Sequence, residues 1–380
     1  MWAVVCLGTE RDNARYGKCI VPVQTVPLFS FRDLRAETRR DVLIFLNMPV
    51  FRKTLDCAII TRGLIMNSVN PYSSDFLPHI WPIGGGKGGT GKSFLTSNMG
   101  ILLARQGFKT LLIDADLGAP NLHTIVGLPN PVISLSDFLN KRVATLQETV
   151  LEMPIRNLFL ISGAKNKLDI ANLAHEQKMK VLRAISRLDY DYILLDLGTG
   201  TSFNTIDFFT IWDSGIFVCN PEPTSIENIY RLIRSVYARK IRQVLKIDRF
   251  RSLAEKAEAQ NPDATIHHPE YLLDMLKTMD PEQGGKIERI LKSFQFKLVL
   301  NQVRRQDNPK IGALVCKIVE KHLGMRIEFI GNVSFDERVH EAVCRKESFV
   351  DQYSYAQATL DLKVIIKAIT GVTVEQAVAS

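Results

Sequence analysis

The chain has 380 residues, 46% apolar and 23% charged, close to an ordinary globular protein. This composition excludes a mostly disordered or fibrous chain, and no run of 18 or more uncharged apolar residues is present to span a bilayer. The net charge of +8 comes from 48 Lys and Arg against 40 Asp and Glu, which permits an acidic partner without requiring one.

Residues 1–65 hold 10 Lys and Arg against 6 Asp and Glu, with three of the six cysteines (Cys6, Cys19, Cys57). Two apolar runs, VVCLG and DVLIFL, build no supersecondary motif with the residues between them. These 65 residues are expected to be a disordered extension, or to precede a true start at Met66, with a partner-binding arm as the alternative. The cysteines form no CxxC pair, so neither a zinc site nor a disulfide framework is indicated, and the expected location is the cytoplasm.

From Ile80 the pattern changes. HIWPI precedes the helical run SFLTSNMGILLARQG, then come KTLLIDAD, NLFLIS at 157–162, a helical stretch over 170–188, and YDYILLD at 190–196. SGIFVCN (214–220), FKLVLNQ (296–302) and RIEFIGNV (326–333) complete the strands. Strands alternating with helices predict an α/β fold with a doubly wound, mostly parallel sheet, and the near-continuous apolar runs predict strands buried on both faces. Pro82 lacks a donor for a central ladder, so the first strand is expected to end or bulge just before the glycines. Residues 66–380 read as one domain, with a charged helical insertion over about 240–292 that NPDATIHHPE (261–270) interrupts. A last helix is expected over 353–369.

The glycines after the first strand carry the chemistry. Gly84-Gly85-Gly86-Lys87-Gly88-Gly89-Thr90-Gly91-Lys92-Ser93 joins a strand to a helix, and from Gly86 it fits GxxxxGK[ST]. Glycines let backbone amides wrap phosphates, and the helix N-terminus adds its dipole. The expected phosphate-binding set is Gly86, Gly88, Gly89, Thr90, Gly91, Lys92, Ser93 and Phe94, with Lys92 reaching the β- and γ-phosphates and Ser93 ligating Mg²⁺. Asp114 and Asp116 follow the next strand at the sheet's carboxyl edge, where α/β proteins bind ligands. A DxD alone is as often a solvated loop start. Ile193-Leu194-Leu195-Asp196 is an apolar strand ending in a carboxylate, which suits Mg²⁺.

The second lysine of KGGTGKS, Lys87, gives the loop a close likeness to the deviant Walker A motif of the MinD/ParA family of P-loop ATPases. The resemblance covers about residues 78–370 and implies an ATP- and Mg²⁺-binding, ATP-dependent homodimer in which Lys87 reaches the partner's ATP. It implies that Asp116 orients the attacking water and that Asp114 and Asp196 support the metal with Ser93. Pro221, in Asn220-Pro221-Glu222-Pro223-Thr224-Ser225, matches a segment near the nucleotide, and Asn301 matches the asparagine that reads adenine. Leu197-Gly198-Thr199-Gly200 resembles the FlhG (FleN) branch, which regulates flagellar number. Two departures stand out: His123 replaces a frequent aspartate, and Ser334 replaces a proline.

Eight basic residues between Arg231 and Arg251 are opposed in sequence only by Asp248. Arg231, Arg234, Arg242, Lys246 and Arg249 lie near multiples of 3.6 and are expected to share one helix face. That face reads as solvated, or as a surface for nonspecific DNA, a membrane or an acidic protein. The tail ITGVTVEQAVAS carries no Lys or Arg, unlike basic membrane-anchoring helices.

The resemblance thus implies a slow, partner-stimulated ATPase that times the position or number of a cellular structure, in the cytoplasm or peripherally at a membrane or nucleoid. The alternatives are a ParA-like partitioning ATPase on nonspecific DNA and a metallocluster carrier or biosynthetic ligase of the same superfamily. The missing CxxC counts against a carrier.

Overall fold

A computed structural model describes residues 78–116, 120–129, 131–163, 175–200, 203–260 and 269–371. All of them belong to one compact unit, Ile60–Ser380. The readings for residues 1–65 and for the tail beyond Gly371 lie outside the described residues.

Strand β1 (His79–Gly85) feeds α1 (Lys92–Arg105) and β2 (Thr110–Ala115). Short helices α2 (Leu122–Ile125) and α3 (Leu135–Leu139) follow, then β3 (Leu151–Glu152) and β4 (Leu158–Ile161). The alternation continues through α4 (His175–Ile185), β5 (Tyr192–Thr199), α5 (Phe203–Ile211) and β6 (Ser214–Cys219). Helices α6 (Pro223–Leu245), α7 (Asp248–Gln260), α8 (Pro269–Met279) and α9 (Pro281–Lys292) separate β6 from β7 (Gln295–Val303). Then come α10 (Ile311–Leu323), β8 (Ile327–Ser334), α11 (Arg338–Arg345), α12 (Phe349–Gln352) and α13 (Gln357–Thr370).

The strands form one eight-stranded sheet in the order β3-β4-β2-β5-β1-β6-β7-β8. Every neighbouring pair is parallel except β3 with β4. This is the doubly wound α/β sheet that the alternation of strands and helices predicts. Strand side chains alternate between two cores, as the period of two requires. Leu111, Ile113, Leu195, Phe217 and Leu298 join one with α4 to α10, and Leu112, Leu194, Ile216 and Val299 join the other with α1 and α13. Apolar side chains line both faces of the strands, so the strands read as near-continuous hydrophobic runs.

Local chemistry sets the helix ends. Pro223 opens α6 at a position whose N–H would go unpaired in any case. Asp280 caps α9 by accepting from the Gln283 N–H. Gly324 and Gly371 stop α10 and α13 in the left-handed conformation.

Two details differ from the sequence reading. β1 does not end before the glycines but runs through Pro82 to Gly85; the register shift between Ile83 and Gly85 is the irregularity expected there as the other outcome. Pro82 is tolerated because β1 pairs with β6 only at Ile83 and Gly84, and the Ser214 hydroxyl donates to the Ile80 carbonyl further down. The two-residue edge strand β3 has no sequence signal, being too short for a period to show. The helices α7, α8 and α9 share the main core through Phe250, Leu276 and Ile287.

Candidate functional site

Parallel strands bring the ends of β1, β2, β5, β6 and β7 to one edge of the sheet, and the motif residues gather there. The Gly86–Gly91 turn leaves β1 and enters α1 through Gly91, whose φ of 85° is left-handed. A Cβ on Gly91 would sit 2.2 Å from Asn301 Nδ2. One on Gly86 would sit 2.3 Å from the Asn228 carbonyl carbon of α6. The loop is therefore pressed between α6 and β7, and only glycine fits at these points.

Lys92 is buried below the loop. Burial pulls its pKa below the ordinary lysine value, and Asp196 and Asp116 oppose that pull. Asp196 is buried, and burial raises its carboxyl to about 7 even though the Ser93 hydroxyl and Lys92 favour the charged form. Its Oδ1 is buried without a hydrogen-bond partner. Asp114 pairs with Asp196 in register across β2 and β5. Burial and the Asp196 charge raise its pKa well above the carboxylate range, while backbone N–H groups pull it down. Those donors are Asp116 N–H to Oδ1 at 3.2 Å and Leu122 N–H to Oδ2 at 3.0 Å. Asp114 thus ties down the backbone on both sides of the DxD turn. Gly198 leaves room for the neighbouring carboxylate, since a Cβ there would lie 3.2 Å from Asp116 Oδ1.

Lys87 reaches Glu222 Oε2 at 2.7 Å and Thr224 Oγ1 at 3.4 Å in its own chain. Pro221 leads into this segment just ahead of α6. The Phe94 side chain is buried edge-on against Phe349, 5.4 Å between centroids, so only its backbone is left for a nucleotide. Asn301 lies at the carboxyl end of β7, buried, with Nδ2 donating to the Thr90 carbonyl at 2.8 Å. Its amide nitrogen is engaged by the Gly86–Gly91 turn. The next residue, Gln302, has a φ of 59° and donates from Nε2 to the Gly89 carbonyl at 3.1 Å. Gln302 Oε1 in turn accepts from Asn220 Nδ2 at 2.9 Å. Sequence reasoning passes over Gln302; the only available signal is a second amide directly after the motif asparagine.

His123 sits on α2, its pKa lowered by burial and by Lys346. Ser334 does what proline cannot: its N–H and hydroxyl both donate to Asp361 Oδ2, at 2.8 and 2.7 Å.

The basic stretch is not one helix face. α6 ends at Leu245, so Lys246 lies at its C-cap and Arg249 falls on α7. Lys240 is fully buried, paired with Asp213 at 2.9 Å and lying over the Phe294 ring. Arg231 pairs with Glu227, Arg239 with Asp207 and Arg251 with Asp248. Acids from α5, from the turn before β6 and from the N-terminal half of α6 neutralise charges that look unopposed between residues 231 and 251. No helix among the described residues is long and apolar enough to cross a membrane.

The septum site-determining protein MinD of Helicobacter pylori is 30% identical over 155 residues, 40% of this chain and 57% of that protein. The antiactivator FleN of Pseudomonas aeruginosa is 23% identical over 287 residues, 75% of this chain and 84% of that protein. The chain spans between about half and two thirds of the length of several MinD relatives it matches. The MinD of Pyrococcus horikoshii, solved in complex with Mg-ADP, superposes with a TM-score of 0.53 at 18% identity over 77% of this chain and 96% of that one. That likeness shows the fold. A family model for the CobQ/CobB/MinD/ParA nucleotide binding domain matches residues 82–349, from within β1 through the start of α12. The matched region holds the loop, both aspartate-bearing strands and the Asn301 strand, and with it the chain belongs to the CobQ/CobB/MinD/ParA nucleotide-binding family.

Proposed function

We propose that the protein binds ATP with Mg²⁺ at the Gly86–Ser93 loop, hydrolyses it slowly, and closes into an ATP-dependent homodimer that switches the position or number of a cellular structure, flagella being the first candidate. The observation that carries this reading is the convergence of Lys92, Ser93, Asp116 and Asp196 at one sheet edge, with Lys92 and Asp196 buried together. The FleN match over 75% of the chain supports the flagellar side.

The residues fit a magnesium ion. Asp196 keeps one buried oxygen without a partner, and Ser93 stands beside its carboxylate; a hard cation with oxygen ligands suits that pair. Bound there, Mg²⁺ supplies positive charge that neutralises phosphate oxygens. Asp114 supports this shell indirectly, by holding the Asp116 backbone. Lys92 and the loop amides hold the transferring phosphoryl group, and burial makes the Lys92 charge count for more than it would in water. Asp116 orients the attacking water. Lys87 leaves Glu222 and adds its charge to the partner's nucleotide. A regulatory protein that raises the rate belongs to this reading, as does residence in the cytoplasm or at a membrane or nucleoid surface.

The test pairs two variants. Lys92→Ala is expected to abolish ATP binding. Asp116→Ala is expected to retain binding, stop hydrolysis and accumulate the dimer in sedimentation velocity with ATP. Hydrolysis by Asp116→Ala at the wild-type rate would sink the assignment.

A further inference from the structure

The two amides at the end of β7 hold adjacent carbonyls of the phosphate loop. Asn301 Nδ2 takes the Thr90 oxygen and Gln302 Nε2 takes the Gly89 oxygen. In a planar trans peptide, the C=O of one residue and the N–H of the next point in opposite directions. Drawing the Gly89 and Thr90 carbonyls toward β7 therefore turns the Thr90 and Gly91 N–H groups away from β7. The Gly91 N–H makes no backbone–backbone hydrogen bond among the described residues. The left-handed φ values of Gly89 (78°) and Gly91 (85°) belong to the same turned peptides.

Gln302 bears a cost for its part. Its φ of 59° is one that a side chain with a Cβ rarely adopts. That conformation places its side chain on Gly89 while Asn301, one residue earlier, takes Thr90. The amide is also oriented from behind: Asn220 at the end of β6 donates to Gln302 Oε1, which leaves the Gln302 NH₂ to face the loop. Strain at a position whose terminal amide is hydrogen-bonded through both its oxygen and its nitrogen points to a task.

We infer that Gln302 is a positioning residue for phosphate binding. Held by Asn220, it orients the Gly89–Thr90 peptide so that the loop's N–H groups face the phosphates before a ligand arrives, with Asn301 doing the same for the Thr90–Gly91 peptide. It acts through the loop and not by touching the base. This inference rests on the reading that the loop binds phosphate, and the experiment separates the two.

The test uses the full chain and isothermal titration with two probes in the presence of Mg²⁺: ADP, and inorganic tripolyphosphate, which has no base. Gln302→Gly removes the side chain and keeps the left-handed φ accessible; Gln302→Glu keeps the shape and replaces the donor with an acceptor. Losing one orienting hydrogen bond is expected to weaken binding roughly fivefold to tenfold. The factor is expected to be the same for both probes, and larger for Gln302→Glu because its carboxylate repels the Gly89 oxygen. The ligand-free melting temperature of Gln302→Gly is expected to hold or rise, since glycine relieves the strained φ, so a fall in affinity cannot be put down to general unfolding. Unchanged tripolyphosphate binding in Gln302→Gly overturns the inference, whether or not ADP binding falls. Wild-type protein that binds neither probe overturns the phosphate-loop reading, and this inference with it.

Discussion

Asp196 makes the ligand-free protein pH-sensitive in a direction that can be worked out. Its carboxyl moves from the ordinary 3.8 to about 7 because burial penalises the charge, and Lys92, Ser93 and Thr96 offset only part of that penalty while Asp116 adds to it. Since the folded value is the higher one, the folded state holds its proton where the unfolded chain has already released it. Stability then falls as pH rises from about 4 to about 7 and is flat with respect to this group above that window. At about 1.36 kcal/mol per pH unit, ionised Asp196 costs the ligand-free protein about 4 kcal/mol. Asp196→Asn keeps the shape without the charge. In urea unfolding without Mg²⁺ it is expected to exceed wild type by about 4 kcal/mol at pH 8, with the gap closing toward pH 4. Mg-ADP is expected to reverse the order, since the cation offsets the wild-type charge and asparagine is a far weaker ligand. Wild type as stable as Asp196→Asn at pH 8 without metal would refute the reasoning.

Other perturbations probe the rest of the site. Gly86→Ala places a methyl group 2.3 Å from the Asn228 backbone, which cannot yield without moving α6; a loss of about 2–3 kcal/mol in urea unfolding is expected, together with weakened ADP binding. Glu222→Gln releases Lys87 from an exposed ion pair worth about 0.5–1 kcal/mol. Closing a dimer breaks two such pairs, so the protein concentration at half-dimerisation with a nonhydrolysable ATP analogue is expected to fall roughly tenfold, while the melting temperature falls by no more than about 2–4 °C. Ser334→Pro removes both donors to Asp361; a destabilisation of about 3 kcal/mol is expected by calorimetry, and an unchanged melting temperature would show that the pair does not hold β8 to α13.

Much of the architecture is legible locally. Uninterrupted apolar runs mark strands buried on two faces, and the helical stretches between them leave a parallel sheet as the natural solution. The Gly86–Ser93 loop and the strands bearing Asp114 and Asp196 are legible for the same reason, although β5 runs on past Asp196 to Thr199: their chemistry needs particular residue types at fixed short spacing. A two-residue edge strand such as β3 has too few residues to show a period, and Pro82 reads as a strand breaker because the pairing beside it is invisible in one dimension.

By itself, the sequence determined the long strands and helices, which family motifs they carry, and which edge of the sheet receives them. Only the tertiary structure decided what each polar side chain faces. The charge between Arg231 and Arg251 looks like an open basic surface until Asp207, Asp213 and Glu227 are folded against it, and Lys240 turns out to lie inside the core. Asn301 is legible as a motif residue and Gln302 is not, and only the fold shows that β7 carries both amides to the carbonyls of a loop more than 200 residues upstream. Electrostatic and hydrogen-bond partners act over a few ångströms regardless of chain separation, so they appear only once the chain has folded.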